Sequence, residues 1–534
     1  MTHDVVNQPP PLSGHDVAED AALLDSVRRE GADWSLEALH ALGRRAGEAE
    51  PRRWADEANA YPPKLRTHDR YGHRIDEVDF HPSWHELMRT AVEAGLAGSA
   101  WAADQPGAHA ARAAALYTWS QVEAGHTCPI SMTYAVIPAL QHEPSLAAAY
   151  GPLLTSREYD PGLRAPQTKR GLLAGMGMTE KQGGSDVRAN TTRAAVTADG
   201  SWRLRGHKWF TSAPMCDLFL VLAQAPGGLS CFLVPRVLPD GTRNDFRIQR
   251  LKDKLGNRSN ASSEPEFENT VGWLVGPEGR GVRTIIEMVA TTRLDCVIGS
   301  AAGMRAALTQ AIHHARHRSA FGRPLVEQPL MTAVLADLAL ESEAASTLMM
   351  RLAGAVDRDE TAFRRLAVAV GKFWVCKRQP AVVGEALECL GGNGYVEESG
   401  LPRLYRDAPL NSIWEGSGNV QALDVLRTLR REPESAEAFL AEAGAAGGAD
   451  RRLDDAVTGL KDLLAHPEES QARRITERLA LVLQGSLLVR HAPPAVADAF
   501  CATRLGGDQG ATFGTLPQAA RATEIVTRSA SMLD

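Results

Sequence analysis

Near Gly177 the hydrophobic period of this 534-residue chain changes, and near Val282 it changes back. Upstream, stretches such as Leu87–Leu96 and Ala110–Val122 repeat apolar residues at three- and four-residue spacing, the mark of helices that bury one face. Proline-rich pieces at Pro9–Leu12 and Tyr61–Leu65 punctuate them. Between Thr191 and Gly276 come the short runs TTRAAVT, SWRLRGHKWF, LFLVLAQ and LSCFLVP, separated by turn signals such as Asp199-Gly200. Downstream, Thr291–His317 is long, alanine-rich and free of proline. Further helical stretches cover Thr332–Val356 and Thr361–Leu390; Pro380 is expected to kink or split the second, and the run Gly391-Gly392-Asn393-Gly394 ends it. The reading is an α+β protein, mainly α. It has a helical domain over 1–176, a central β-domain over 177–285 and a helical bundle over 286–432. Beyond it lies a helical domain over 433–534 that contains the linker-like Ala443–Gly448.

With 44% hydrophobic residues the chain can fill more than one core, and three or four domains are expected. The formal net charge of -7 gives no global attraction for polyanions, so a nucleic-acid partner would need a local basic patch. Positions 451–534 hold 10 Lys/Arg and 10 Asp/Glu, nine of the former arginine. The seven cysteines form no CxxC pair, which points to reduced thiols and to no zinc site or disulfide framework. The first residues lack the basic and apolar regions of a secretory signal, and Leu218–Ala225 is far too short to span a bilayer. A cytoplasmic protein without a membrane partner is expected.

The string MTEKQGGSDV, 178–187, is the most informative local feature. Its glycines let backbone amides approach an anionic or planar ligand, and Thr179 and Ser185 add hydroxyl donors. A Gly-Gly-Ser turn is also common as plain structure, and this one is neither a Rossmann fingerprint nor a P-loop. Glu415, in IWEGSGN, precedes a helix with the apolar face Val420, Leu423, Leu426 and Leu429, where a carboxylate is a favourable dipole partner in any case.

These strings resemble the acyl-CoA dehydrogenase family. MTEKQGGSDV is similar to its TEP-x-AGSD signature, and five more segments follow in the family's order: GHKWFTS, LKDKLGNRSNASSEPEFENTVGWLVGPEGRGV, HRSAFGRPL, LECLGGNGY and YRDAPLNSIWEGSGNVQ. The resemblance implies the family fold, with an extra C-terminal helical domain, and FAD as cofactor. It places Met178, Thr179, Gly183, Gly184, Ser185, Asp186 and Val187 along flavin and pyrophosphate, Phe210 beside the flavin and Ser212 at flavin N5. Arg318 would reach the pyrophosphate of a neighbouring subunit's FAD in a homotetramer, and Phe321 would belong to the cofactor site. Gly391 and Gly392 would admit the dinucleotide, although Glu388 stands where the family commonly has Gln. Trp414, Gly416, Ser417 and Asn419 would complete the cofactor site. Glu415 takes the position of the base that removes the α-proton of an acyl-CoA, and the other position the family uses for a base holds Thr292.

Longer strings, among them VNQPPPL, EVDFHPSWHELM and VEAGHTCPISMTYA, resemble the family's AidB subfamily. That resemblance implies double-stranded DNA as a partner, a role against alkylation damage, weak dehydrogenase activity, and Arg427 and Arg504 as DNA-binding residues. Arg430, Arg431, Arg451, Arg452, Arg473 and Arg474 would extend the patch. Two alternatives stand beside it: an ordinary dehydrogenase of an unidentified thioester or other small substrate, and a DNA-binding scaffold whose FAD is structural.

Overall fold

The computed structural model describes residues 2–533, which form two compact units. One unit gathers 50–108 and 123–292; the other gathers 1–49, 109–122 and 293–534. The contacts thus group the chain differently from the four consecutive segments read above. The last hundred residues belong to the same unit as the bundle, and the first 176 are shared between both units.

The first unit is built on an eight-stranded sheet: Ala174–Gly177 (β3), Arg193–Val196 (β4), Trp202–His207 (β5), Thr211–Ser212 (β6), Leu218–Ala225 (β7), Gly228–Pro235 (β8), Phe246–Leu251 (β9) and Ser262–Val275 (β10). β7 pairs with β8 and β3 and is buried over its first six residues, as an unbroken apolar run requires. Trp202, Phe219, Phe232, Phe246 and Phe267 fill the core; the Trp202 ring lies 5.2 Å from that of Phe232, and the Phe246 ring 5.0 Å from Phe219 and 5.5 Å from Phe267. Gly175 on β3 lies against the Phe219 ring, where a Cβ would come within 2.5 Å of it. A hairpin of Lys64–His68 (β1) and Arg74–Asp79 (β2) interrupts the helical reading of the N-terminal region. Its residues are mostly polar, and the one that is buried, Asp76, is an acid, so they carry no apolar alternation.

In the second unit the helix Thr361–Cys389 packs against Pro329–Asp357, Gly418–Arg431, Pro433–Ala443 and Ala472–His491. It runs continuously through Pro380, so the expected break is absent; packing on neighbouring helices outweighs the lost N–H. Helix Pro329–Asp357 is buried on all sides from Leu335 to Ala355, and that stretch includes Asp337, Glu341, Glu343 and Arg351. Buried charges need partners. Arg504 serves Asp337 and Glu341, Arg528 serves Glu343, and Glu442 serves Arg351. The arginines of the C-terminal segment are therefore in part core pairing groups. All seven cysteines are buried, and none is joined in a disulfide among the described residues. No helix is long and apolar enough to cross a membrane.

Candidate functional site

Strand β3 ends at Gly177 and the chain opens into an exposed loop, Lys181–Asp186. Glu180 anchors that loop from below. Fully buried, it accepts hydrogen bonds from Lys208 Nζ (2.7 Å), the Thr191 and Thr192 amides (2.7 and 3.1 Å) and the Thr191 hydroxyl (2.9 Å). Burial alone would raise its carboxyl; Lys208 and these donors outweigh burial and hold it well below the usual range. The Met178 and Thr179 carbonyls are held by Asn190 Nδ2 (2.9 Å) and the Trp209 amide (2.8 Å), which ties the loop to the segment carrying Phe210 and Ser212.

Above this anchor the loop is left with donors. Gly183 adopts φ +138°, and a Cβ on Gly184 would meet the Thr179 hydroxyl at 2.5 Å, so both positions demand glycine. Among the described residues, nothing accepts from the amides of Gly184, Ser185 and Asp186 or engages the hydroxyls of Thr179, Ser185 and Ser212. Val187 and Ser212 are half-buried, and Phe210 is 53% exposed, with Lys252 Nζ 4.4 Å from its ring centroid. Unpaired amides, hydroxyls and an open aromatic face make a donor set suited to an anionic group joined to a flat ring.

In the second unit, Glu415 lies in the left-handed region at φ +58°, followed by Gly416 at +97°. A non-glycine residue there costs about 1–2 kcal/mol, so the surroundings must fix it. Arg293 Nε donates to the Glu415 carbonyl (3.0 Å), and Gln421 Nε2 donates to the carbonyls of Glu415 and Gly416 (both 3.0 Å). Lys372 Nζ donates to those of Trp414 (2.7 Å) and Gly416 (2.5 Å). Arg293 is itself held by Asp424 (2.9 Å), which Arg365 also grips (3.0 Å). The Trp414 indole donates to Asn411 Oδ1 (3.0 Å). Burial pushes the thiol of Cys296 up, and the charge of the half-buried Glu415 adds to the rise. Thr292 is buried, its hydroxyl spent on the Val289 carbonyl.

The remaining predicted positions are scattered around the second unit. Arg318 donates to the Asn7 carbonyl (2.5 Å). Phe321, 98% exposed, tips the hairpin of Ser319–Ala320 (β11) and Arg323–Pro324 (β12). Gly391, at φ +58°, and Gly392 are exposed beyond the helix Thr361–Cys389. Ser417 and Asn419 are exposed, and Asn419 Oδ1 accepts from Arg473 (3.2 Å). Glu180, Lys208, Arg293, Lys372, Gln421 and Asp424 were not singled out from the sequence; their partners lie 28 to 131 residues away or are main-chain carbonyls, and no local spacing announces such pairs.

The two arginines expected to meet DNA differ. Arg427 has a 59% exposed side chain, and Asp424, at 3.5 Å, is its one ion-pair partner among the described residues. Arg504 is 7% exposed and locked to Asp337 and Glu341. Its guanidinium is committed inside the unit, so the expectation of a phosphate contact at Arg504 is corrected. Arg452 pairs with Asp450 and Asp498, and Arg430 bonds the Pro467 carbonyl. Arg431, Arg474 and Arg478 are exposed and lack an ion-pair partner among the described residues.

Three family descriptions match the chain: the adaptive response protein AidB N-terminal domain over 7–161, the acyl-CoA dehydrogenase middle domain over 175–270, and the acyl-CoA dehydrogenase C-terminal domain over 279–430. The Escherichia coli (strain K12) protein named "Putative acyl-CoA dehydrogenase AidB" is 49% identical over 512 residues, 95% of each chain. Acyl-CoA dehydrogenase family member 11 of Caenorhabditis elegans is 30% identical, with 82% of this chain and 77% of that one covered. The crystal structure of Caenorhabditis elegans ACDH-11 in complex with C11-CoA superposes with a TM-score of 0.84 at 26% identity, covering 99% and 93% of the two chains.

Proposed function

The chain belongs to the acyl-CoA dehydrogenase family, in its AidB branch, and from that premise we propose an FAD-containing protein that binds duplex DNA and protects it from, or repairs, alkylation damage, with weak dehydrogenase activity. The observation that carries the reading is the likeness to the AidB relative over nearly the whole of both chains, C-terminal helices included.

FAD is the family's cofactor. The donor set of Thr179, Gly184, Ser185, Asp186 and Ser212 fits a pyrophosphate and a flavin edge. Bound there, FAD supplies a hydride acceptor. Glu415 is the residue we assign to remove the substrate's α-proton. Arg293, Lys372 and Gln421 hold the main chain of its turn, which fixes where the side chain starts from, and orientation is a large part of such a rate enhancement. That a relative is solved with C11-CoA supports an acyl-CoA as the small substrate. We take the protein to be a cytoplasmic homotetramer; the 98% exposed Phe321, at the tip of its hairpin, supports a subunit contact there.

For DNA, Arg427 and Arg431 on Gly418–Arg431 and Arg473, Arg474 and Arg478 on Ala472–His491 sit on two helices that pack together. Exposed guanidinium groups suit phosphate oxygens. Gel-shift of the yellow holoprotein with random duplex in rising salt tests this, and absence of binding at low salt rejects it. Anaerobic mixing with a panel of acyl-CoAs tests the alternative, an ordinary dehydrogenase; rapid bleaching that Glu415→Gln abolishes would favour it.

A further inference from the structure

We propose a second phosphate-binding face on the solvent side of the β4–β5 ribbon, fitted to the backbone of a nucleic acid. It rests on the reading that this protein binds duplex DNA. Arg193 on β4 and Arg205 on β5 are direct cross-strand partners. Arg203 stands two residues along β5 and shares their face, because successive side chains alternate. The burial agrees: Ala194 and Leu204 enter the core, Arg193 and Arg205 are exposed, and Arg203 is half-buried.

Like charges directly opposite on a sheet destabilise it. Among the described residues no carboxylate lies within ion-pair distance of Arg193, Arg203 or Arg205, and Arg203 Nη1 donates to the Ser201 hydroxyl (2.8 Å) and the Trp202 carbonyl (3.4 Å). The neighbouring acids are engaged elsewhere. Glu268, opposite Arg205 on β10, pairs with Arg247; Glu266 stands opposite His207. Asp199 accepts from Thr197 and Ser201 and acts on Arg203 only at longer range.

The three arginines line one groove of about 390 Å³ with Ala195, Gln224 and Pro226. No aromatic ring lines it to stack on a base, so the groove reads phosphate and not sequence. Guanidinium forks grip phosphate oxygens two at a time. In a chain of net charge -7 the cluster provides local attraction that the molecule as a whole does not.

The test is the salt dependence of duplex binding by the tetrameric holoprotein and by the triple variant Arg193→Gln, Arg203→Gln, Arg205→Gln, with retained flavin colour as the check on folding. Each phosphate contact contributes roughly 0.9 to the slope of log K against log salt, so the variant should lose about 2–3 from that slope and bind more weakly at low salt. A Tm equal to or above the parent's is expected, since the repulsion is gone. An unchanged slope in the variant, with duplex binding intact in both proteins, overturns this inference and leaves the DNA reading standing. No duplex binding by the parent overturns both. If the variant loses only inorganic tripolyphosphate and keeps the parent's duplex slope, the groove serves free polyphosphate and the backbone assignment fails.

Discussion

Arg293 donates through Nε to the main-chain carbonyl of Glu415 at 3.0 Å, while its Nη1 is held by Asp424 at 2.9 Å. A side chain anchored at one end by an ion pair thus grips, at the other, the peptide of a residue in the left-handed region. That turn stores strain that glycine would not feel. Glu415→Gly is therefore expected to raise thermal stability by up to about 1 kcal/mol and to abolish acyl-CoA-dependent flavin bleaching. Thermal unfolding of the two proteins checks it; a variant less stable than the parent would show that the Glu415 side chain contributes more to packing than its backbone costs.

The Glu180–Lys208 pair makes a second prediction. Both side chains are fully buried, and Glu180 also holds the amides of Thr191 and Thr192, just ahead of β4. Glu180→Gln leaves the Lys208 ammonium in the interior without its counter-charge. Breaking a buried pair from one side costs about 3–5 kcal/mol. Urea unfolding should show a loss of that size, and FAD should dissociate more readily because the loop above loses its floor. A loss under 1 kcal/mol with unchanged FAD affinity refutes this account of the loop.

How far the sequence reached follows from where each signal lies. MTEKQGGSDV announces itself because its glycines and hydroxyls are contiguous, and the fold class is legible because the hydrophobic period changes along the chain. The Glu180–Lys208 pair spans 28 residues, and Arg504 reaches back 167 residues to Asp337; neither is written in local spacing. A charge count cannot separate an arginine that faces solvent from one that neutralises a buried helix, so Arg427 and Arg504 looked alike. The hairpin at 64–79 has only Leu65, Ile75 and Val78 as apolar strand residues, too few for an alternation to be read.

Glu343 provides a pH test. It is buried on Pro329–Asp357 beside Arg528 (3.1 Å), yet burial prevails and its carboxyl is pushed up to about 6. The folded chain therefore keeps a proton that the unfolded chain, titrating near 4.5, has released. The stability this group adds is fully present below about pH 4.5 and is lost as pH rises through about 6. The change is at most about 2 kcal/mol. Unfolding free energies across that window should fall for the parent relative to Glu343→Gln; parallel curves would exclude Glu343 as the source.

The two arginines should part in experiment as they do in structure. Arg427→Ala is expected to leave stability within about 0.5 kcal/mol and to reduce the duplex salt slope by about 1. Arg504→Ala strands Asp337, while Glu341 keeps Arg378, and should cost about 3–5 kcal/mol. Any loss of DNA binding in Arg504→Ala should then track unfolding. A fully stable Arg504→Ala protein with weakened DNA binding would restore it as a contact residue.

The central claim is that the loop over 178–187 holds FAD, and the most direct measurement is flavin content by visible absorbance after saturation with FAD and gel filtration. The account predicts one FAD per parent chain and none in Gly184→Val, whose side chain would collide with Thr179, with far-UV circular dichroism unchanged. A parent protein that stays colourless after exposure to FAD, or a folded Gly184→Val that retains it as tightly as the parent, would contradict the claim.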